Sequence, residues 1–183
     1  MNIILIRHGE PVSATNERVD AIGFAYWVKR YNHSDVLASS RPHWPMDKQL
    51  SEAYLVSSSL KRAKQSAFIA FDRQPSEYLS NFREMDIPRY LLPFTLKTWT
   101  WVYLSRLLWM LGKKGKFESY SEAKTRVKDS ADYLISLAEK HGTVAAVGHG
   151  FSNLHIRKYL VTKGWQLSEK DNGYWGISKL DMA

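Results

Sequence analysis

Two histidines stand at matching places in this chain, in Arg7-His8-Gly9-Glu10 and in Gly148-His149-Gly150. Each follows a short apolar run and lies next to glycine, and Arg7 precedes the first. A third segment, Ser57-Ser58-Ser59-Leu60-Lys61-Arg62-Ala63, follows another apolar run and carries Arg62 in what should be the first turn of a helix. Its serines are of a type that caps helices. A cation is unfavourable at a helix N-terminus unless an anion is bound there. Two guanidinium forks and two imidazoles form a cradle suited to a phosphoryl group, whose oxygens accept bidentate hydrogen bonds. Such a cradle requires three distant segments to meet at one rim.

The surrounding pattern supplies that rim. Ile3-Ile4-Leu5-Ile6 is continuous, apolar and β-branched, as in a strand buried on both faces. Ala53-Tyr54-Leu55-Val56 and Thr143-Val144-Ala145-Ala146-Val147 repeat the character, and helical sequence follows over Ser59–Phe71 and Phe151–Thr162. Strand-turn-helix units with interior strands predict a three-layer α/β/α sandwich with a mostly parallel central sheet. Ligands in open α/β sheets bind outside the carboxyl ends of strands, which is where Arg7, His8, Arg62 and His149 fall. Gly9 is expected to let the chain turn sharply. Further helices are predicted over Glu17–Tyr31, Lys97–Leu111 and Ser121–Lys140, with a late strand over Tyr174–Leu180. The loops Asn32–Lys48 and Gly112–Lys116 are not domain linkers, so residues 1–183 read as a single domain.

Leu91–Leu111 is unusually apolar, yet Pro93, Lys97 and Arg106 would be expensive at bilayer depth, so no membrane span is expected. Core packing is the favoured reading of its Trp99, Trp101 and Trp109. The second reading is a helical lid over 91–111.

The 183 residues suffice for one sizeable core, and 44% hydrophobic with 24% charged residues argues against disorder. Zero Cys excludes disulfides, thiol nucleophiles and Cys-ligated metals. It fits a reducing compartment, and the N-terminus lacks the pattern of a signal peptide, so a cytoplasmic protein is expected. The net charge of +8 favours anionic partners: phosphorylated metabolites, nucleic acid or an acidic membrane surface. Its densest cluster, Lys113-Lys114-Gly115-Lys116, is too small for a nucleic-acid-binding arm, so no nucleic-acid partner is expected. His33, His43, His141 and His155 show no two-ligand spacing on one helix face, and no metal or cofactor is expected.

Taken together, Arg7-His8-Gly9-Glu10, the run Ser58 to Ala67, Phe82-Arg83-Glu84-Met85-Asp86 and Val147-Gly148-His149-Gly150 resemble the histidine phosphatase superfamily, the phosphoglycerate-mutase-like proteins. Phe117-Glu118-Ser119-Tyr120 followed by Arg126 adds a weaker likeness. The resemblance implies metal-independent hydrolysis of a small phosphate monoester through a phosphohistidine. His8 would be the nucleophile, with Arg7, Arg62 and His149 binding the transferred group. Glu84 would protonate the leaving oxygen and then activate water. The phosphate-binding set implied is Arg7, His8, Arg62, His149 and Gly150, with Asn16 or Ser13 in place of an Asn that many members carry nearer the first motif. The attacking nitrogen of His8 must be deprotonated, so its other nitrogen is expected to donate to a backbone carbonyl.

Phe24–Pro45 and Ile87-Pro88-Arg89-Tyr90 depart from the family pattern, which leaves substrate choice open. Two alternatives stand beside the phosphatase: a phosphoglycerate-type mutase, disfavoured by the short chain, and a non-catalytic phosphate-binding or protein-interaction module. A binding module has no need of a nucleophile.

Overall fold

The computed structural model describes all residues from Met1 to Ala183. Six strands form the central sheet: β1 (Asn2–Arg7), β3 (Tyr54–Ser58), β4 (Glu77–Leu79), β6 (Thr143–Gly148), β7 (Gln166–Lys170) and β8 (Ile177–Asp181). Their order is β4-β3-β6-β1-β8-β7, with β4, β3, β6 and β1 parallel and β8 antiparallel to both neighbours. β1 and β6 pair from Asn2↔Thr143 to Arg7↔Gly148, so the two histidine turns leave the sheet side by side.

Alternation along β1 assigns the layers. Ile3 and Leu5 face the cluster built with α5 (Tyr120–His141) and α6 (Gly150–Thr162). Ile4 and Ile6 face the cluster of α2 (Lys48–Glu52) and α3 (Lys61–Phe71). Four consecutive β1 residues from Ile3 to Ile6 are buried, as a doubly covered strand requires. The α/β/α sandwich with a mostly parallel sheet is the fold.

A separate cap stands over the strand ends. α1 (Ala21–Asn32) and α4 (Thr98–Met110) share an aromatic cluster in which Phe24 stacks on Trp27 and Trp101, with ring centroids 6.0 and 5.4 Å apart. Trp101 and Trp109 are fully buried, as core packing requires, whereas Trp99 is half-buried. The tryptophans of Leu91–Leu111 therefore divide between core and surface.

Several boundaries differ from the sequence reading for local reasons. Helix α1 starts at Ala21, not Glu17, because β2 (Arg18–Val19) pairs with β5 (Leu96–Lys97) and Asp20 caps Gly23 N at 2.7 Å. The late strand begins at Ile177 because Tyr174 and Trp175 lie in a turn, where Trp175 adopts a left-handed φ of 62°. β7 is exposed at every position, so it has no apolar period to detect. α3 starts without a side-chain cap; Ser58 Oγ instead accepts from Leu60 N at 3.3 Å.

Candidate active site

His8 follows β1 and is buried. Its Nδ1 lies 2.7 Å from Gly9 O, and Arg62 Nε donates to its Nε2 at 3.1 Å. A carbonyl only accepts, so the proton sits on Nδ1 and the Nε2 lone pair faces the guanidinium. Burial, then Arg62 and His149, hold the imidazole well below its ordinary pKa, so His8 is neutral near pH 7. Gly9 lies in neither a turn nor a bend, contrary to a sharp-turn role. It is needed because a Cβ there would lie 2.5 Å from the Trp175 ring.

His149 packs edge-on to His8, with ring centroids 5.1 Å apart. Its Nε2 lies 2.8 Å from Ser58 Oγ, and its buried Nδ1 has no partner. Burial, then Arg62 and Arg7, also depress this histidine well below its usual value. With Ser58 Oγ accepting from Leu60 N, its hydroxyl can donate to Nε2 and leave the proton on the orphaned Nδ1.

Arg62 is fully buried in the first turn of α3, where Tyr31 O and Asn32 O accept from its Nη1 at 3.2 and 3.3 Å. Its Nη2 has no partner. Arg7 lies over the Tyr174 ring at 4.1 Å and donates to Asn172 O at 2.8 Å, yet its buried Nε is also unpartnered. Gly150 permits this approach, since a Cβ would stand 3.1 Å from Arg7 Nε.

Glu84 anchors the start of α6. Its Oε1 accepts from Met85 N, Ser152 N and Ser152 Oγ at 3.1, 2.9 and 3.0 Å. Oε2 has only Phe151 N at 3.4 Å and Arg106 Nη2 at 3.8 Å. Burial pushes the carboxyl up, but Arg106, Arg62 and the Ser152 N–H outweigh it and hold the pKa below the usual range. Arg126 fixes the segment by donating to Asn81 O and Arg83 O at 2.8 and 3.0 Å.

The structure thus brings His8, Arg7, Arg62 and His149 to one rim, with Glu84 and Gly150 at its edge. Asn16 is not among them. It is exposed, and its Oδ1 accepts from Trp99 N at 3.3 Å, at the start of α4. Ser13 turns its N–H to Ser34 Oγ at 3.0 Å.

Arg106 is the residue that sequence reasoning missed. It lies over the Phe151 ring at 4.2 Å, faces Glu84 and leaves its buried Nε without a partner. A cavity of about 300 Å³ opens between Arg7, Glu84, Arg106 and Gly150, with Tyr31, Trp99 and Tyr103 among its walls. Arg7 Nε and Arg106 Nε, from two of the cavity's walls, are buried without acceptors, as are Arg62 Nη2 and His149 Nδ1 at the rim, and donors of this kind suit an anion.

The buried neutral histidines also make stability depend on pH. An unfolded histidine takes a proton below about pH 6.5, whereas the folded His8 and His149 resist it, so stability falls as pH drops. Each contributes up to roughly 1.4 kcal/mol per pH unit. Denaturant melts between pH 7 and 5 should show this slope, and His149→Gln should remove one proton's share. Saturating inorganic phosphate should flatten it, because a bound dianion favours protonated His149. An unchanged slope in both experiments would show that His149 does not titrate with unfolding.

The family model for the histidine phosphatase superfamily (branch 1) matches residues 43–180, and the chain belongs to that superfamily. The match starts beyond His8; the register of β1 against β6 brings the earlier motif beside the later one. Among solved structures, the alpha-ribazole phosphatase of Shigella flexneri is similar at TM-score 0.58 and 16% identity, covering 100% of this chain and 91% of that one. The phosphoserine phosphatase of Entamoeba histolytica, solved with 3-phosphoglyceric acid, reaches TM-score 0.58 at 19% identity, covering 97% and 89%. No curated protein sequence matches the chain.

Proposed function

We propose that the protein hydrolyses a small phosphate monoester through a phosphohistidine on His8. The observation that carries this reading is the geometry of His8, whose Nδ1 is tied to Gly9 O while its Nε2 faces Arg62, with His149 packed edge-on to the ring. A module that only binds phosphate would need the donors but not a deprotonated imidazole held among them.

Arg62 Nε donates to the lone pair that must attack. A bound phosphate gives the guanidinium stronger acceptors and frees His8 Nε2. Nε2 then forms a bond to phosphorus as the ester P–O bond breaks, and Glu84 protonates the departing oxygen. Phosphoryl transfer passes through a loose transition state, so Arg7, Arg62 and His149 act mainly by placing the group and offsetting its charge. Glu84 next takes a proton from water, whose oxygen attacks phosphorus and releases His8 and inorganic phosphate.

The depressed pKa of Glu84 sets a condition on the first step. The carboxyl is ionised near pH 7, so its proton must arrive with the substrate. A phosphate monoanion can deliver it, and the dianion that remains raises the carboxyl's pKa by like-charge repulsion. Oε1 is committed to α6, which leaves Oε2 for proton transfer.

The test is a screen of phosphorylated metabolites for phosphate release, with and without a chelator. Free phosphate released at an unchanged rate in chelator supports the proposal. An isomerised ester without free phosphate would indicate a mutase, and tight phosphate binding without turnover of any ester would indicate a binding module.

A further inference from the structure

The surplus of positive charge is confined to the cap. Residues 21–32 and 87–117 hold eight basic and no acidic side chains, while the other 140 residues carry eighteen of each sign. Two of the eight are neutralised, Arg30 by Glu17 at 2.8 Å and Arg106 by Glu84 at 3.8 Å. Arg89, Lys97, Lys113, Lys114 and Lys116 are exposed and lack any carboxylate within 4.0 Å.

Apolar exposure is concentrated in the same residues, which contain eight of the sixteen large hydrophobic side chains that the chain exposes. α4 reverses the usual amphipathic arrangement, in which charged residues face solvent. Its one charged residue, Arg106, points into the site, while Tyr103, Leu107 and Met110 form the outward stripe. Tyr103 is 73% exposed, and Leu111, where the stripe ends, is 75% exposed. The loop before α4 adds Leu91, 86% exposed, and Phe94, which share a shallow hollow with Ile22 of α1. Lys113 and Lys114 follow the stripe directly.

We propose that this cap docks on an anionic phospholipid surface, with α4 lying in the plane of the headgroups. A protruding apolar stripe flanked by lysines without carboxylate partners is the pattern of an interfacial helix. At thirteen residues α4 is about 20 Å long, well short of the roughly 30 Å hydrocarbon core, and no helix of the protein is long and apolar enough to cross a membrane. Charge selects the occupant. A second copy would oppose one basic face to another across a twofold axis, which repels. An acidic protein would match the charge, but protein interfaces also carry about one hydrogen bond per 100–200 Å². The α4 stripe offers only the Tyr103 hydroxyl. Tyr103 and Trp99 also line the active-site cavity, so the proposed membrane face adjoins the site's entrance.

The test is sedimentation of the full chain with phosphatidylcholine vesicles, with and without 30 mol% phosphatidylserine, at two salt concentrations. Binding should require the anionic lipid and weaken with salt. Each basic residue near such a surface contributes roughly fivefold, so Lys113→Glu with Lys114→Glu should weaken partition by about 25-fold or more. Leu107→Ser with Leu111→Ser should weaken it independently while thermal melts remain unchanged. None of these four residues touches the site, and lipid binding is read without turnover, so failure here would leave the phosphatase proposal standing. Equal partition to neutral vesicles, or no partition to either kind, would overturn the proposal. So would a dimer in sedimentation velocity that the leucine variant dissociates, because the cap would then be a self-interface.

Discussion

His8→Ala should lower phosphate release on the order of 10⁴–10⁶-fold, the range seen when a covalent nucleophile or its immediate partner is removed. The loss should be chemical and not one of binding. The orphaned donors of Arg7, Arg62, Arg106 and His149 remain in the variant, so calorimetry should still detect inorganic phosphate. Wild type mixed briefly with labelled substrate and quenched in alkali should hold an acid-labile phosphoryl group, because phosphohistidine survives base and not acid. His8→Ala should hold none. A labelled band of the same acid lability in the variant would move the nucleophile elsewhere, with His149 the next imidazole to test. Label absent from wild type under single-turnover conditions would favour direct attack by water.

The parts of this site that were legible in the sequence lie on regular elements. β1 and β6 are interior, so their apolar runs stand out, and the glycine-flanked histidines mark their ends. Arg62 was legible because a cation in the first turn of a helix calls for an anion. Glu84 was not: a carboxylate in the irregular segment after β4 has no period or cap to mark it, and only the family pattern singled it out. Arg106 was hidden by its company. Amid leucines and tryptophans it argued against a membrane span, and nothing local reveals that the helix turns its one charge inward. Asn172 and Tyr174 hold Arg7 from a turn that overlaps the strand predicted from Tyr174, and their role depends on β8 running antiparallel beside β1. Long-range pairing of that kind leaves no local signal. The cap's charge was visible only as a whole-chain surplus, because its two helices are more than sixty residues apart in sequence.

Glu84→Gln should separate proton transfer from positioning. The Gln Oε1 can accept from Met85 N and Ser152 N as the carboxylate does, so α6 keeps its anchor. What is lost is a group able to carry a proton at Oε2, together with the charge facing Arg106. An alkoxide needs that proton as it leaves, so phosphorylation of His8 by an alkyl phosphate should slow by roughly 10²–10⁴-fold. Nitrophenolate leaves well without protonation, and with nitrophenyl phosphate the same step should slow far less. Water activation would then limit turnover, and phosphoenzyme should accumulate in the variant to a level not seen in wild type. Arg106→Gln gives the complementary reading. Removing the cation lets burial raise the Glu84 pKa, so the variant should keep its alkyl phosphate activity to higher pH than wild type. The measurement is single-turnover phosphorylation with both substrates across pH 5 to 8 for the three proteins. If Glu84→Gln slows both leaving groups equally, the carboxylate acts by holding α6 and the rim in place. The proton must then come from elsewhere, and Glu10, beside the His8 motif, becomes the carboxylate to replace next.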